Sequence, residues 1–313
     1  MRVLSTADAL AYECRPGNPI CVALGMFDGV HLGHQHVIRQ AVLDARAWGG
    51  TSVAITFDPH PQWVLQPQKA PALLQRLSQR LASIQSVGVD AALVIPFTAD
   101  FSRVTGDYFV RQLCRDLKTL KSFSVGQGFH FGFQRSGNTQ LLRSIGAELG
   151  FRAHALANIS VGGESVSSTR IRAVLQQGKL AHVAELLGHP YALQGVVEHG
   201  RKLGRTLGFP TANISDLRGL ALPPFGVYAA RVRHGTFQHS AAVNLGLRPT
   251  VETGETSCRL EAHLLDFDGD LYGQSIDVEL VEWVRPEKKL PDLNSLRLQI
   301  RRDILAVRRR LRE

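Results

Sequence analysis

Two histidines three residues apart, His31 and His34, stand in the run Gly25-Met26-Phe27-Asp28-Gly29-Val30-His31-Leu32-Gly33-His34, between an apolar stretch and a helix-like one. Glycines let a backbone approach a ligand closely. The first turn of a helix offers unpaired amides and a positive dipole end, where phosphate usually sits. The H-x-G-H spacing can set both imidazoles against one phosphoryl group, stabilising the charge that develops as a nucleophile attacks phosphorus. The bland reading of the same residues is a helix cap with two surface histidines. Zinc fits less well, because there is no H-E-x-x-H and no cysteine pair nearby. Far downstream, Ser167-Ser168-Thr169-Arg170-Ile171-Arg172 supplies hydroxyls at a helix start and an arginine one turn later. These groups can hold a leaving pyrophosphate, although Ser167 or Ser168 taken singly is just an N-cap.

A second constellation begins at the glycine-rich basic loop His199-Gly200-Arg201-Lys202-Leu203-Gly204-Arg205 and ends in Pro210-Thr211-Ala212-Asn213. It is not a Walker A loop, since Gly200 is followed by Arg201-Lys202 and no strand-to-helix context surrounds it. Thr211 and Asn213, two apart, can project oxygens to one side of an extended segment, which suits a Mg²⁺ shared with ATP phosphates. Glu261 lies in a strand pattern among apolar neighbours, where a carboxylate can accept a proton from a substrate hydroxyl. Taken one at a time, these residues are better read as a turn and a water-facing strand residue.

The elements that must hold these groups divide the chain in two. The first part alternates strand-like runs at 20–24, 52–57, 91–95 and 122–125 with helix-like runs at 34–47, 73–87, 106–117 and 139–149. That is the pattern of a doubly wound parallel sheet in an α/β domain. A helix expected over 168–187 stops at Gly188, with Pro190 unable to continue it, and the domain boundary is placed there, giving 1–188 and 189–313. Beyond it, strand-like runs at 226–232, 240–244, 259–265 and 276–283 predict a small antiparallel β-barrel. Leu293, Leu296, Ile300, Ile304, Val307 and Leu311 recur at helical spacing and predict a C-terminal helix packed on that barrel.

At 313 residues, 44% hydrophobic and 20% charged, the chain has the composition of a folded globular protein. Its formal charge of +9 suits an anionic partner, and much of the excess lies in Arg301, Arg302, Arg308, Arg309, Arg310 and Arg312. No base-stacking aromatics accompany those arginines, so a nucleic-acid-binding regulatory protein is the non-enzyme alternative and a solvated helix face the default. Four cysteines, Cys14, Cys21, Cys114 and Cys258, form no CxxC pair, which fits a reducing cytoplasm. No apolar run approaches the roughly 20 residues of a spanning helix, and Asp8 and Glu13 stand where a signal peptide is apolar; no membrane role is expected.

H-x-G-H followed far downstream by S-T-x-x-R resembles the nucleotidylyltransferase superfamily. Residues 25–34, Thr56-Phe57-Asp58-Pro59-His60-Pro61 and 166–172 together resemble the adenylyltransferase half of bacterial bifunctional riboflavin kinase/FAD synthetase. Pro210-Thr211-Ala212-Asn213 and the Glu261 segment Leu260-Glu261-Ala262-His263-Leu264-Leu265-Asp266-Phe267 are similar to its riboflavin kinase module. The likeness extends to Asn244-Leu245-Gly246-Leu247-Arg248-Pro249-Thr250 and covers nearly the whole chain. It implies a Rossmann-like nucleotidylyltransferase domain followed by the barrel, with riboflavin, FMN and ATP as small-molecule substrates, Mg²⁺ as cofactor and no nucleic acid. ATP is then expected against Gly25, Phe27, Asp28, Gly29, Gly33, Ser168, Thr169 and Arg172 in the first domain and Gly200, Lys202 and Gly204 in the second. Flavin is expected against Asn244, Arg248, Pro249 and Thr250, catalysis at His31, His34 and Glu261, and metal at Thr211 and Asn213. Two positions depart from the family pattern: Gly128 in Gly126-Gln127-Gly128-Phe129-His130-Phe131-Gly132, where Asp or Asn is usual, and Leu247, where Thr is common. Gly128 motivates the alternative of a chain that keeps only the kinase. The same loop is a near miss for G-x-G-x-x-G, with Phe131 at the third glycine, and an NAD site is discounted.

Overall fold

The computed structural model describes residues 1–5, 17–200, 203–249 and 256–312. By its internal contacts the chain divides into two compact units, Met1–Ser168 and Thr169–Glu313.

In the first unit, β1 (Arg2–Leu4), β2 (Ile20–Leu24), β3 (Thr51–Asp58), β4 (Ala91–Pro96), β5 (Leu120–Gly126) and β6 (Arg152–Leu156) form one sheet in the order β1-β4-β3-β2-β5-β6, every pair parallel. Every residue of β2 is buried, as a central parallel strand covered on both faces requires. Its alternate side chains feed two cores. Ile20, Val22 and Leu24 pack with Val110, Leu113 and Leu142 of the helices α3 (Gly106–Leu117) and α4 (Thr139–Leu149). Cys21 and Ala23 pack with Ile38, Ala41 and Ile84 of α1 (Leu32–Trp48) and α2 (Leu77–Ser86). Burial pushes the Cys21 thiol up to about 11, so it behaves as a small apolar side chain. β2 has β3 on one side and β5 on the other, so the chain reverses its direction of travel at β2. In such sheets ligands bind in the crevice beyond the carboxyl ends of the strands at that reversal.

The expected helices at 106–117 and 139–149 form as predicted, as does the strand at 20–24, and the other three expected strands form with slightly longer bounds. Three readings need correction. The helix expected over 73–87 begins only at Leu77, because the amides of Leu74 and Gln75 are bound by the Asp28 carboxylate instead of entering a helix. The helix expected over 168–187 is two, α5 (Ser168–Gln176) and α6 (Leu180–Leu187), broken where Gly178 adopts φ 72°. The edge strand β6 is absent from the expected strands, since a half-buried run of mixed polarity carries little period-two signal.

The second unit holds β9 (Ala192–Val196), β10 (Ala212–Ile214), β11 (Gly226–His234), β12 (Phe237–Pro249), β13 (Thr256–Leu264) and β14 (Ser275–Arg285), following a short hairpin, β7 (Ser160–Val161) and β8 (Glu164–Ser165), of the first unit. The six strands are antiparallel in the order β10-β13-β12-β11-β14-β9. A bridge between Glu198 and Asn213 joins the chain just after β9 to β10 and all but closes the barrel. The C-terminal helix α7 (Leu293–Leu311) sets Val307 and Leu311 against Ala229 and Leu265, with Ile304 at the margin. A fully buried valine such as Val307 contributes roughly 1.5–3 kcal/mol of apolar burial. Leu293, expected in the same stripe, is exposed, because the first turn of α7 lies beyond the barrel's apolar surface. Arg308 and Arg310 pair with Asp266 and Glu282 of the barrel, so part of the arginine face fastens the helix.

Candidate active sites

The first site is the turn leaving β2. Gly29 takes φ 82°, a conformation open to glycine, while Phe27 at 52° and Val30 at 39° are held there against their own preference. A Cβ on Gly25 would lie 2.7 Å from the Phe27 ring, which is itself buried in the core. His31 is the N-cap of α1, its Nδ1 accepting from the His34 amide at 3.3 Å. The two imidazoles stack with centroids 3.6 Å apart, and Phe27 meets His34 edge-on at 5.5 Å. Gly33 leaves room for this stack: a Cβ there would come within 3.2 Å of the His31 ring. His31 is therefore the helix cap and also half of an imidazole stack, and it is buried, not a surface histidine. Asp28 is buried, and its carboxylate accepts from the amides of Leu74 at 2.9 and 3.1 Å and of Gln75 at 3.2 Å, which pins the turn to the start of α2. Ser168 donates to the Asp28 carbonyl at 2.9 Å, and Thr169 and Arg172 follow it on α5, in the second unit.

The loop after β5 turns through Gln127 N–H to the Leu156 carbonyl at 2.8 Å and Phe129 N–H to the Gly126 carbonyl at 3.0 Å. A Cβ on Gly128 would meet nothing within 4 Å, so the absence of a side chain there is not enforced by packing.

The second site is built by register. Asn213 on β10 is paired with Glu261 on β13, and Glu261 in turn with Asn244 on β12. The row continues through Val227 on β11 to Arg285 on β14. Directly paired residues point to the same face of a sheet, and all five line one cavity of about 660 Å³. Its apolar wall includes Leu207, Phe209, Leu247, Leu290, Leu296 and Ile300. A second cavity of about 430 Å³ is lined by Gly200, Arg205, Phe267, Asp270 and Tyr272, and Thr211 and Asn213 line both. Those two residues thus line both the larger and the smaller space.

Asn213 is buried, and its Nδ2 donates to the Thr211 carbonyl at 3.0 Å and to Thr211 Oγ1 at 3.4 Å, which turns Oδ1 to the opposite side of the amide. A Cβ on Gly200 would lie 2.7 Å from that amide, so the glycine is needed to seat it. Gly204 is similarly required, since a Cβ would be 2.4 Å from the Phe209 carbonyl in the turn leading to Thr211. Arg259 stands 3.7 Å from Glu261, and Glu287 accepts from Asn244 at 3.2 Å over the bare backbone of Gly246. Arg285 is clamped by Asp303 of α7 at 2.7 Å. Lys202 and Thr250 lie outside the described residues; Arg248 and Pro249 close β12. Sequence reasoning gives no site role to Arg205, Arg285, Glu287 or Asp303, which look like ordinary surface charges until the strands are aligned.

A doubly wound sheet with two stacked imidazoles at its switch point, together with a barrel that registers Glu261 beside Asn213 in a cavity, fits a nucleotide-dependent transferase. Residues 15–170 match the FAD synthetase family and residues 187–311 the riboflavin kinase family. The bifunctional riboflavin kinase/FMN adenylyltransferase of Escherichia coli K12 is 38% identical over 294 residues, covering 94% of this chain and 93% of its own. Those of Haemophilus influenzae and Pseudomonas fluorescens are 36% and 35% identical, covering 90% and 95% of this chain and 91% and 95% of their own. A crystal structure described as a macrolide-efflux protein from Streptococcus pneumoniae superposes with a TM-score of 0.84 at 26% identity, over 98% of this chain and 99% of that one. No helix among the described residues is long and apolar enough to cross a membrane. The chain belongs to the bifunctional riboflavin kinase/FMN adenylyltransferase family and carries both of its domains.

Proposed function

We propose that the barrel phosphorylates riboflavin with ATP and that the FMN so made is adenylylated by a second ATP at the turn after β2, giving FAD and pyrophosphate. The functional division is taken after Gly188, with 1–188 as the adenylyltransferase and 189–313 as the kinase. The observation that carries the reading is the row Asn213–Glu261–Asn244 lining the larger cavity, with Asn213 also lining the smaller one. The larger has the size and half-apolar lining that suit a flavin ring system, and the smaller suits a nucleotide.

In the kinase step the riboflavin 5′-hydroxyl, lying in the larger cavity, attacks the γ-phosphorus, the bond to the β,γ-bridging oxygen breaks, and ADP leaves. Glu261 takes the hydroxyl proton. Thr211 Oγ1 and Asn213 Oδ1 are hard oxygen donors of the kind that suits Mg²⁺, the Asn213 amide being seated by Gly200. Thr211 and Asn213 would hold Mg²⁺ there, which would supply neutralisation of phosphate charge. Asn244 and Gly204 line the larger cavity and border the flavin, while Gly200 and Arg205 line the smaller one and border the phosphates.

In the adenylyl step an FMN phosphate oxygen attacks the α-phosphorus and the α,β-bridging bond breaks. The Phe27 amide, with His31 and His34, stabilises the equatorial charge, while Ser168, bonded to the Asp28 carbonyl of the turn, serves the pyrophosphate. Asp28 contributes by shaping the turn, and Gly33 by admitting the imidazole stack. Cys21, Cys114 and Cys258 are free thiols among the described residues, which supports a reducing, cytoplasmic setting. Incubating the chain with riboflavin, ATP and Mg²⁺ and separating riboflavin, FMN and FAD tests both halves. Absence of both products sinks the proposal.

A further inference from the structure

Arg80 sits on α2, a helix whose charged residues should face water, yet it is 1% exposed and among the largest fully buried side chains of the chain. Its guanidinium reaches across to the ends of two strands. Nη1 donates to the Met26 carbonyl at 3.3 Å, and Nη2 to the Phe57 carbonyl at 3.0 Å and to Asp58 Oδ1 at 3.3 Å. The Met26 carbonyl takes a second bond from Thr56 Oγ1 at 3.0 Å. Nε is buried with no hydrogen-bond partner among the described residues. Burial draws the guanidinium below its ordinary range, and Asp58 and Asp28 oppose that shift.

A buried cation with an unmatched donor is a poor way to stabilise a fold, since an apolar side chain of similar volume is often neutral or better at such a site. What Arg80 does hold is one peptide plane. In a trans peptide the carbonyl of one residue and the N–H of the next point in opposite directions. Fixing the Met26 oxygen from two sides therefore fixes the direction of the Phe27 N–H. Phe27 stands at φ 52°, a conformation that its own sterics do not favour and that something must impose. Among the described residues the Phe27 N–H meets no acceptor, although the Phe27 carbonyl closes the turn by accepting from Val30 at 3.0 Å.

We propose that Arg80 is a positioning residue for adenylyl transfer: by gripping the Met26 carbonyl it aims the Phe27 amide at a non-bridging oxygen of the α-phosphate. This rests on the reading of the turn after β2 as the adenylyl site. Arg80 touches no reacting atom, and its charge lies behind the turn. Lysine cannot replace it fully, because a single ammonium does not present the planar fork that spans Met26, Phe57 and Asp58 together.

The test compares wild type, Arg80→Lys and Arg80→Met as full-length chains. FAD formation from FMN and ATP is measured with the two diastereomers of ATP carrying sulfur at the α-phosphate, and riboflavin phosphorylation in the same samples serves as control. Calorimetry gives the folded fraction of each variant. The expected result is a turnover for FAD lowered about 10- to 100-fold in Arg80→Met and less in Arg80→Lys, with riboflavin phosphorylation unchanged. An amide aimed at one α-oxygen also makes wild type prefer one thio diastereomer, and that preference collapses toward unity in Arg80→Met. The inference is overturned if Arg80→Met turns over like wild type. It is equally overturned if each variant loses FAD synthesis only in proportion to its unfolded fraction with the diastereomer ratio intact. A wild-type chain that makes no FAD from FMN defeats instead the reading of the site itself.

Discussion

Asn213 and Glu261 are registered partners on adjacent antiparallel strands, β10 and β13. The pairing places the proposed proton acceptor beside the proposed metal ligand with no loop between them, so their spacing is set by the hydrogen-bond ladder. Sites carried on strands are held more tightly than sites on loops. The same register brings Asn244 to the other side of Glu261, so the spacing of the three residues depends on strand pairing and not on a loop.

His31 caps α1 and also stacks on His34, and one substitution separates the two roles. Asparagine is among the best N-caps, whereas alanine costs about 1 kcal/mol. His31→Asn should keep thermal stability near wild type while FAD formation from FMN falls by about 10²-fold or more. His31→Ala should lose both. Calorimetry alongside an FAD assay reads the difference; wild-type FAD synthesis in a stable His31→Asn chain would leave His31 as a cap alone.

Gly200 carries no chemistry, yet a methyl group there would strike the Asn213 amide. Gly200→Ala should raise the Mg²⁺ concentration needed for half-maximal riboflavin phosphorylation several-fold and leave FAD formation from supplied FMN untouched. A Mg²⁺ titration of both activities checks this, and an unchanged midpoint would remove Asn213 from the metal site.

Gly128 has open space where a side chain would project, so Gly128→Asn should change stability by no more than about 0.5 kcal/mol. The resemblance to the family pattern leads us to expect faster FAD formation in that variant. Slower formation would mean that this loop works differently here.

Much of the architecture is legible in the residues themselves. The bounds of α3 and α4 follow from local pattern, because Gly106 and Thr139 come directly after capping residues and apolar residues recur at helical spacing up to Leu117 and Leu149. The start of α2 does not, because Asp28, far away in sequence, captures the amides of Leu74 and Gln75. No local pattern contains that bond. Likewise residue type is enough to name Thr211, Asn213 and Glu261, but not to show that strand register sets the last two side by side or that the first two line both cavities. Arg80 escapes sequence reading for the opposite reason: an arginine on an amphipathic helix reads as solvent-facing, and only its three acceptors reveal otherwise.

The central claim is that two separately built sites act in succession on one flavin. It is tested most directly by giving riboflavin, ATP and Mg²⁺ to wild type, Glu261→Gln and His34→Ala and following riboflavin, FMN and FAD over time. Wild type should pass riboflavin through FMN to FAD, His34→Ala should accumulate FMN, and Glu261→Gln should leave riboflavin unchanged yet convert added FMN to FAD. If either substitution removed both activities, or neither, in chains that remain folded, the two-site account would be contradicted.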